Sequence, residues 1–163
     1  MLATMVVVYA DTNKLIAETK ANLREIRVLK CQHIVKKLYP KSGFLPHVEY
    51  FIAQHEKYGI ADEWQWSLAY GGANFGLKCN FRARNGCAGP MDRPRGSTNP
   101  RKNILAHVEE TTRYHRNGYR GYKLMQVVFY PARPHDWGGG KIRKAYNKHV
   151  KCLEGYYNEQ VER

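Results

Sequence analysis

The chain has 163 residues, enough for one domain around a single core and too few for two ordinary domains with separate cores. Its 27 Lys and Arg against 14 Asp and Glu leave a formal net charge of +13, which favours an anionic partner. Hydrophobic residues at 43% and aromatics at 12% exclude a basic disordered tail, and the lack of an apolar run of about 18 residues excludes a membrane-spanning helix.

In chain order, the apolar stretch Leu2 to Ala10 comes first. It ends in Val8-Tyr9-Ala10, which is similar to a signal-peptidase site but has no basic region in front, so a leader remnant and an ordinary buried start both fit. From about Asn13 to Leu38, Ile16, Leu23, Ile26, Leu29, Ile34 and Leu38 recur at helical spacing among Lys, Arg and Glu. That pattern predicts one long or broken amphipathic helix, stopped by Tyr39-Pro40-Lys41-Ser42-Gly43. Residues 1–43 are therefore expected to form an N-terminal helical segment and 44–163 the main domain. Pro46 suits the first turn of a helix with Val48, Phe51, Ile52 and His55 on one face and Gly59 just past its end. Asp62, with Gln65 three residues on, predicts a capping-box-like start for a helix through Trp64, Leu68 and Ala69.

From Gly71 to Asn99 the chain is rich in Gly, Asn, Arg and Pro and poor in apolar residues, which predicts a long irregular loop of the kind that usually carries function. Asn99-Pro100 then reads as an N-cap and first-turn proline, with Ile104, Val108 and Thr111 on the inner face of a helix ending near Gly118. Tyr122 to Tyr130 predicts a short apolar helix, stopped by Pro131 and Pro134, as the buried central element. The Gly138-Gly139-Gly140 hinge leads to a last helix with Ile142, Ala145, Tyr146, His149, Val150, Leu153 and Tyr157 at helical spacing. With no repeat and no convincing strand, the expected fold is all-α, with about six helices.

Four cysteines, Cys31, Cys79, Cys87 and Cys152, allow three pairings. A Cys79–Cys87 bridge would close a small Gly-containing loop and stabilise it by about 2.5 kcal/mol in the chain-entropy model, as an exported setting permits. Four reduced thiols, two of them packed in helices, are the alternative. No CxxC occurs and no His lies between Cys79 and Cys87, so the segment does not read as a zinc site. No metal and no cofactor is expected.

Several short patterns in order carry a resemblance. Tyr58-Gly59-Ile60-Ala61-Asp62 is followed by Gly72-Ala73-Asn74-Phe75, then Gly89-Pro90-Met91-Asp92, then Asn99-Pro100 with Asn103-Ile104, and last Phe129-Tyr130-Pro131-Ala132-Arg133-Pro134. Taken together they resemble the transglycosylase domain of soluble lytic transglycosylases, relatives of goose-type lysozyme, over roughly Phe44 to Tyr157. In that family the patterns run Tyr-Gly-hydrophobic-Asp, Glu-Ser-x-Phe, Gly-Leu-Met-Gln, a helix opening on Asn-Ile, and Ala-Tyr-Asn-Ala-Gly-Pro. The resemblance implies a lysozyme-like all-α domain with a sugar cleft lined by Phe75, Met91, Asp92 and Tyr130. It also implies that Gly72 stands where the family places its catalytic Glu.

Glycosidic cleavage needs a positioned acid to protonate the leaving oxygen, and glycine supplies none. Losing general acid catalysis costs ~10²- to 10⁴-fold. Glu63 precedes Gly72 by nine residues, roughly 13 Å along a continuous helix, too far to act at the same bond. Glu49 and Glu56 are expected to face solvent beside Lys57, and Glu109 and Glu110 to sit near Arg113. Asp92 falls where the resemblance puts a cleft-lining Gln, so it is the one substitute acid, unless it is a turn residue paired with Arg93 or Arg95.

Plainer roles stand beside these. Gly71-Gly72 reads equally as a helix stop, and Tyr130 as a core tyrosine. His107 and His149 fall on apolar helix faces and read as core or solvent-edge residues. Trp64, Trp66 and Trp137 suit sugar stacking, with core burial expected for at least one of the first pair.

The resemblance implies an exported, cell-envelope or phage-associated protein directed at peptidoglycan and the β-1,4 bond between N-acetylmuramic acid and N-acetylglucosamine, with little or no turnover. The competing expectation is a helical nucleic-acid-binding protein, because Arg82, Arg84, Arg93, Arg95, Arg101 and Lys102 cluster in or beside the long loop near Phe81. A structural protein of a phage or cell envelope that uses the fold as a scaffold is the third.

Overall fold

The structure is a computed structural model that describes residues 2–41, 43–71, 99–129 and 139–161. Among these residues there are six α-helices and no strand: α1 Leu2–Leu38, α2 Val48–Lys57, α3 Trp64–Gly71, α4 Pro100–Arg116, α5 Gly121–Phe129 and α6 Gly139–Val161. Two 3-10 turns, Leu45–His47 and Ala61–Glu63, lead into α2 and α3. The fold is all-α, as the sequence predicts. The stretch 72–98, expected to be an irregular loop, lies outside the described residues.

Helix starts and stops follow local chemistry. Pro46 sits in the 3-10 turn ahead of α2, which buries Val48, Phe51, Ile52 and His55 as its spacing predicts. Gly59 then adopts φ 71, a left-handed conformation that glycine takes without a Cβ penalty, and turns the chain toward α3. The Asn99 side chain accepts a hydrogen bond from the Arg101 backbone N–H at 3.0 Å and caps α4, with Pro100 at its first position. The start of α3 differs from expectation. Asp62 lies inside the Ala61–Glu63 turn with its carboxylate exposed toward Arg27, so the Asp62/Gln65 capping box is not what opens the helix. Gly139 and Gly140 likewise belong to α6 itself, so the hinge expected there is already helix at these two positions.

Two apolar clusters hold the helices together. The first joins Cys31, Ile34 and Val35 of α1 to Phe44, Val48, Phe51, Ile52, Ile60, Trp64, Leu68, Ile104, Val108 and Leu153. The second joins Ala69, Leu124, Met125, Val128 and Ile142, with Trp66, Tyr70, Tyr114 and Tyr146 against it. Helix α3 feeds both, through Trp64 and Leu68 on one side and Ala69 on the other, so it takes the central place that the apolar run of α5 predicts for α5. The C-terminal turns of α1 thus share the core of the residues that follow Phe44.

The first half of α1 departs from its pattern. Helix α1 is unbroken, yet Ile16, Leu23, Ile26 and Leu29 remain 45–46% exposed. Val28 packs partly against the first cluster, and full burial on α1 starts at Cys31. Leu23 and Ile26 border a groove of about 420 Å³ whose other wall includes Trp64, Leu153 and Tyr157.

Candidate functional site

Directions of the helices decide what can meet. Both Glu63 carboxylate oxygens accept from the Gly121 backbone N–H, at 3.0 and 3.2 Å, and Trp66 lies 6.0 Å from Tyr122. Helices α3 and α5 therefore start side by side and run in the same direction, sharing the cluster of Ala69 with Leu124 and Val128. Helix α6 runs the opposite way. Its Ile142 joins the cluster of Ala69, its Tyr146 stacks on Trp66 at 3.7 Å and 7° between planes, and its Leu153 joins that of Trp64. Helix α4 is also reversed relative to α5, through the short connection 117–120, and His107 in its middle stacks on Tyr70 near the end of α3 at 4.8 Å.

The consequence is that Gly71, Asn99, Phe129 and Gly139 all lie toward one end of the bundle. These four positions bracket residues 72–98 and 130–138. Every site residue that the sequence singled out falls in those two stretches: Gly72, Phe75, Met91, Asp92 and Tyr130, together with Cys79, Cys87 and Trp137. All of them lie outside the described residues. The same holds for Arg82, Arg84, Arg93 and Arg95 of the basic cluster, whereas Arg101 and Lys102 are exposed on the first turn of α4 and the Arg101 guanidinium lies over the Tyr50 ring at 5.1 Å.

Behind this end, the bundle is polar inside. His107 is fully buried and meets Thr111 Oγ1 at 3.4 Å, and Asn103 is buried one turn earlier. His55 from α2 is fully buried too, and its Nδ1–H donates to the Phe51 carbonyl at 2.8 Å, which fixes the tautomer and leaves Nε2 as a bare acceptor. Burial holds His55 down at about 4 and His107 at about 3, with His55 adding to the second. His149 of α6, buried beside the end of α1, meets the Tyr39 hydroxyl at 2.7 Å and is held down at about 4 by the same cause. All three are neutral core residues at pH 7, as helical spacing suggested for His107 and His149.

Five of the described carboxylates, Glu56, Asp62, Glu63, Glu109 and Glu110, have partners within the bundle. Glu63 is buried at the opposite end of α3 from Gly71, and burial raises its pKa while the Gly121 N–H and Arg120 oppose the rise. Eight residues of helix put it roughly 12 Å from the far end. Its work is to cap α5, which sequence spacing gave no means of seeing because its partner is 58 residues away. Glu56, expected in solvent beside Lys57, instead meets Arg27 at 3.2 Å and Arg24 at 3.7 Å, because α1 crosses α2 there. Glu110 pairs with Arg113 as expected, and Glu109 accepts from the Tyr58 hydroxyl at 3.1 Å. Trp64 is in the core and Trp66 is stacked on Tyr146, so both are engaged in packing.

Cys31 and Cys152 stand as thiols on α1 and α6, and burial pushes the Cys31 thiol well above its ordinary range. Among the described residues no group of three or more His, Cys, Asp or Glu is placed to hold a metal ion, and no helix is long and apolar enough to cross a membrane. Comparison with known proteins gives no family model, no curated protein and no solved structure that matches this chain.

Proposed function

We propose that this chain is a lysozyme-like, peptidoglycan-binding domain related to the lytic transglycosylases, with its acid/base position occupied by Gly72 and turnover lost or crippled as a result. One observation supports the reading above the others: the helix ends that bracket both motif-bearing stretches, Gly71, Asn99, Phe129 and Gly139, gather at one end of the bundle. The net charge of +13 suits a polymer bearing carboxylates. The described carboxylates nearest to Gly72 in sequence are engaged elsewhere, Glu63 at the start of α5 and Asp62 with Arg27, so neither takes the acid role. Such a partner lies in the cell envelope, and we assign the protein there.

Purified peptidoglycan tests this directly. The unaltered protein should sediment with insoluble peptidoglycan without releasing soluble muropeptides, and Gly72→Glu should gain release by at least ~10²-fold. Strong release by the unaltered protein, equal to that of Gly72→Glu, would sink the missing-acid argument. Failure of both proteins to sediment would sink the glycan reading itself.

A further inference from the structure

The outer face of α6 concentrates part of the net positive charge into a row of cations. Between Gly139 and Leu153 the helix has no Asp or Glu, while it has Lys141, Arg143, Lys144, Lys148 and Lys151. Lys141, Lys144, Lys148 and Lys151 are spaced three, four and three residues apart and all are exposed. At 100° per residue they fall within about 80° of arc, and they extend about 15 Å along the axis in steps of about 4.5 to 6 Å. The opposite face holds Ile142, Tyr146, His149 and Leu153 against the other helices. The ion pairs formed by described residues use Arg24, Arg27 and Arg113, and none uses these lysines.

We propose that this face of α6 is a docking surface for the phosphodiester backbone of duplex nucleic acid. A row of compact ammonium groups a few ångströms apart matches a polyanion with one charge per about 3.4 Å along each strand. A glycan whose carboxylates hang on separate branches presents no such row. A lipid surface would require bulky apolar side chains beside the cations to enter the headgroup region, and the neighbours of this row are Gly140, Ala145, Asn147, Cys152 and Gly155. No aromatic ring stands among the four lysines to stack an unpaired base, which selects duplex over single strand. Lysine ammonium groups contact phosphates as point charges, so binding is independent of base sequence.

The full chain is tested by fluorescence anisotropy with a labelled 20-base-pair DNA of arbitrary sequence, titrated at 50 and 200 mM salt. Four phosphate contacts predict a loss of affinity of about a hundredfold across that range. Replacing Lys141, Lys144, Lys148 and Lys151 together by Gln should abolish most of that salt dependence. The same change at Lys14, Lys20, Lys41 and Lys57, equal in charge but elsewhere on the surface, should leave most of it. Circular dichroism melting reports whether both variants fold, and Lys148→Glu alone, expected to weaken binding about tenfold, serves if the fourfold variant does not. Equal losses in the two fourfold variants would overturn the proposal, because net charge and not this face would then be responsible. So would absence of duplex binding by the parent, or binding to vesicles of anionic lipid in preference to DNA.

Discussion

At Glu63, burial and hydrogen bonding pull in opposite directions. Desolvation penalises the carboxylate and raises its pKa, while the Gly121 N–H and Arg120 favour the charge. Because the folded pKa lies above the unfolded one, the group contributes most at low pH and loses that contribution as pH rises past the ordinary carboxylate range. Glu63→Ala strips the first N–H of α5 of its acceptor and should cost about 1–2 kcal/mol in urea unfolding. Glu63→Gln keeps an acceptor oxygen and removes the buried charge, so it should stay within about 1 kcal/mol of the parent. Equal stability of Ala and parent would show that this cap contributes nothing. Neither change should affect muropeptide release by the Gly72→Glu protein, since Glu63 lies at the other end of α3.

At the scale of elements, a helix start and a helix face obey different rules. Asn99 needs only the Arg101 N–H two residues on, so Asn99→Ala should lower stability by about 1 kcal/mol in the same unfolding assay. Helix α1 illustrates the other rule. Replacing Leu15 and Ile16 together by Gln should leave the unfolding free energy within about 0.5 kcal/mol, because both side chains are exposed. Removing residues 2–35 takes away Cys31, Ile34 and Val35, whose burial contributes on the order of 5 kcal/mol, comparable with the whole stability of a small domain. That shorter chain should not fold, as circular dichroism and near-ultraviolet signals would show.

For the whole molecule, three buried neutral histidines set the response to acid. His55, His107 and His149 have folded pKa values of about 4, 3 and 4, below the ordinary value of 6.5. Their contribution is therefore present above pH 6.5 and lost as pH falls toward 4. Keeping all three neutral costs together about 4 kcal/mol per pH unit in that window. Thermal melts should accordingly drop steeply between pH 6.5 and 5 and little between pH 7 and 8. A melting temperature constant from pH 7 to 5 would contradict the burial of these rings.

What the amino-acid sequence determined by itself was the placement of most elements. Asn99-Pro100, Pro46, Gly59 and the Ile104–Val108–Thr111 spacing act on neighbours a turn away, so they are readable without knowing the fold. The same locality explains the row of lysines on α6, visible as a spacing of three, four and three, and the apolar spacing of Ile142, Tyr146, His149 and Leu153 that marks the opposite face. Partners distant in sequence were beyond it. Ile16, Leu23 and Ile26 have the spacing of a buried face and stay largely exposed, because burial requires another helix to close over them and that closure is complete only from Cys31. Asp62 has the spacing of a cap and is not one, while Glu63 beside it caps a helix 58 residues away. The gathering of Gly71, Asn99, Phe129 and Gly139 at one end belongs to the same class. It depends on α3 and α5 running together and α4 and α6 running against them, and only packing between the two clusters sets those directions.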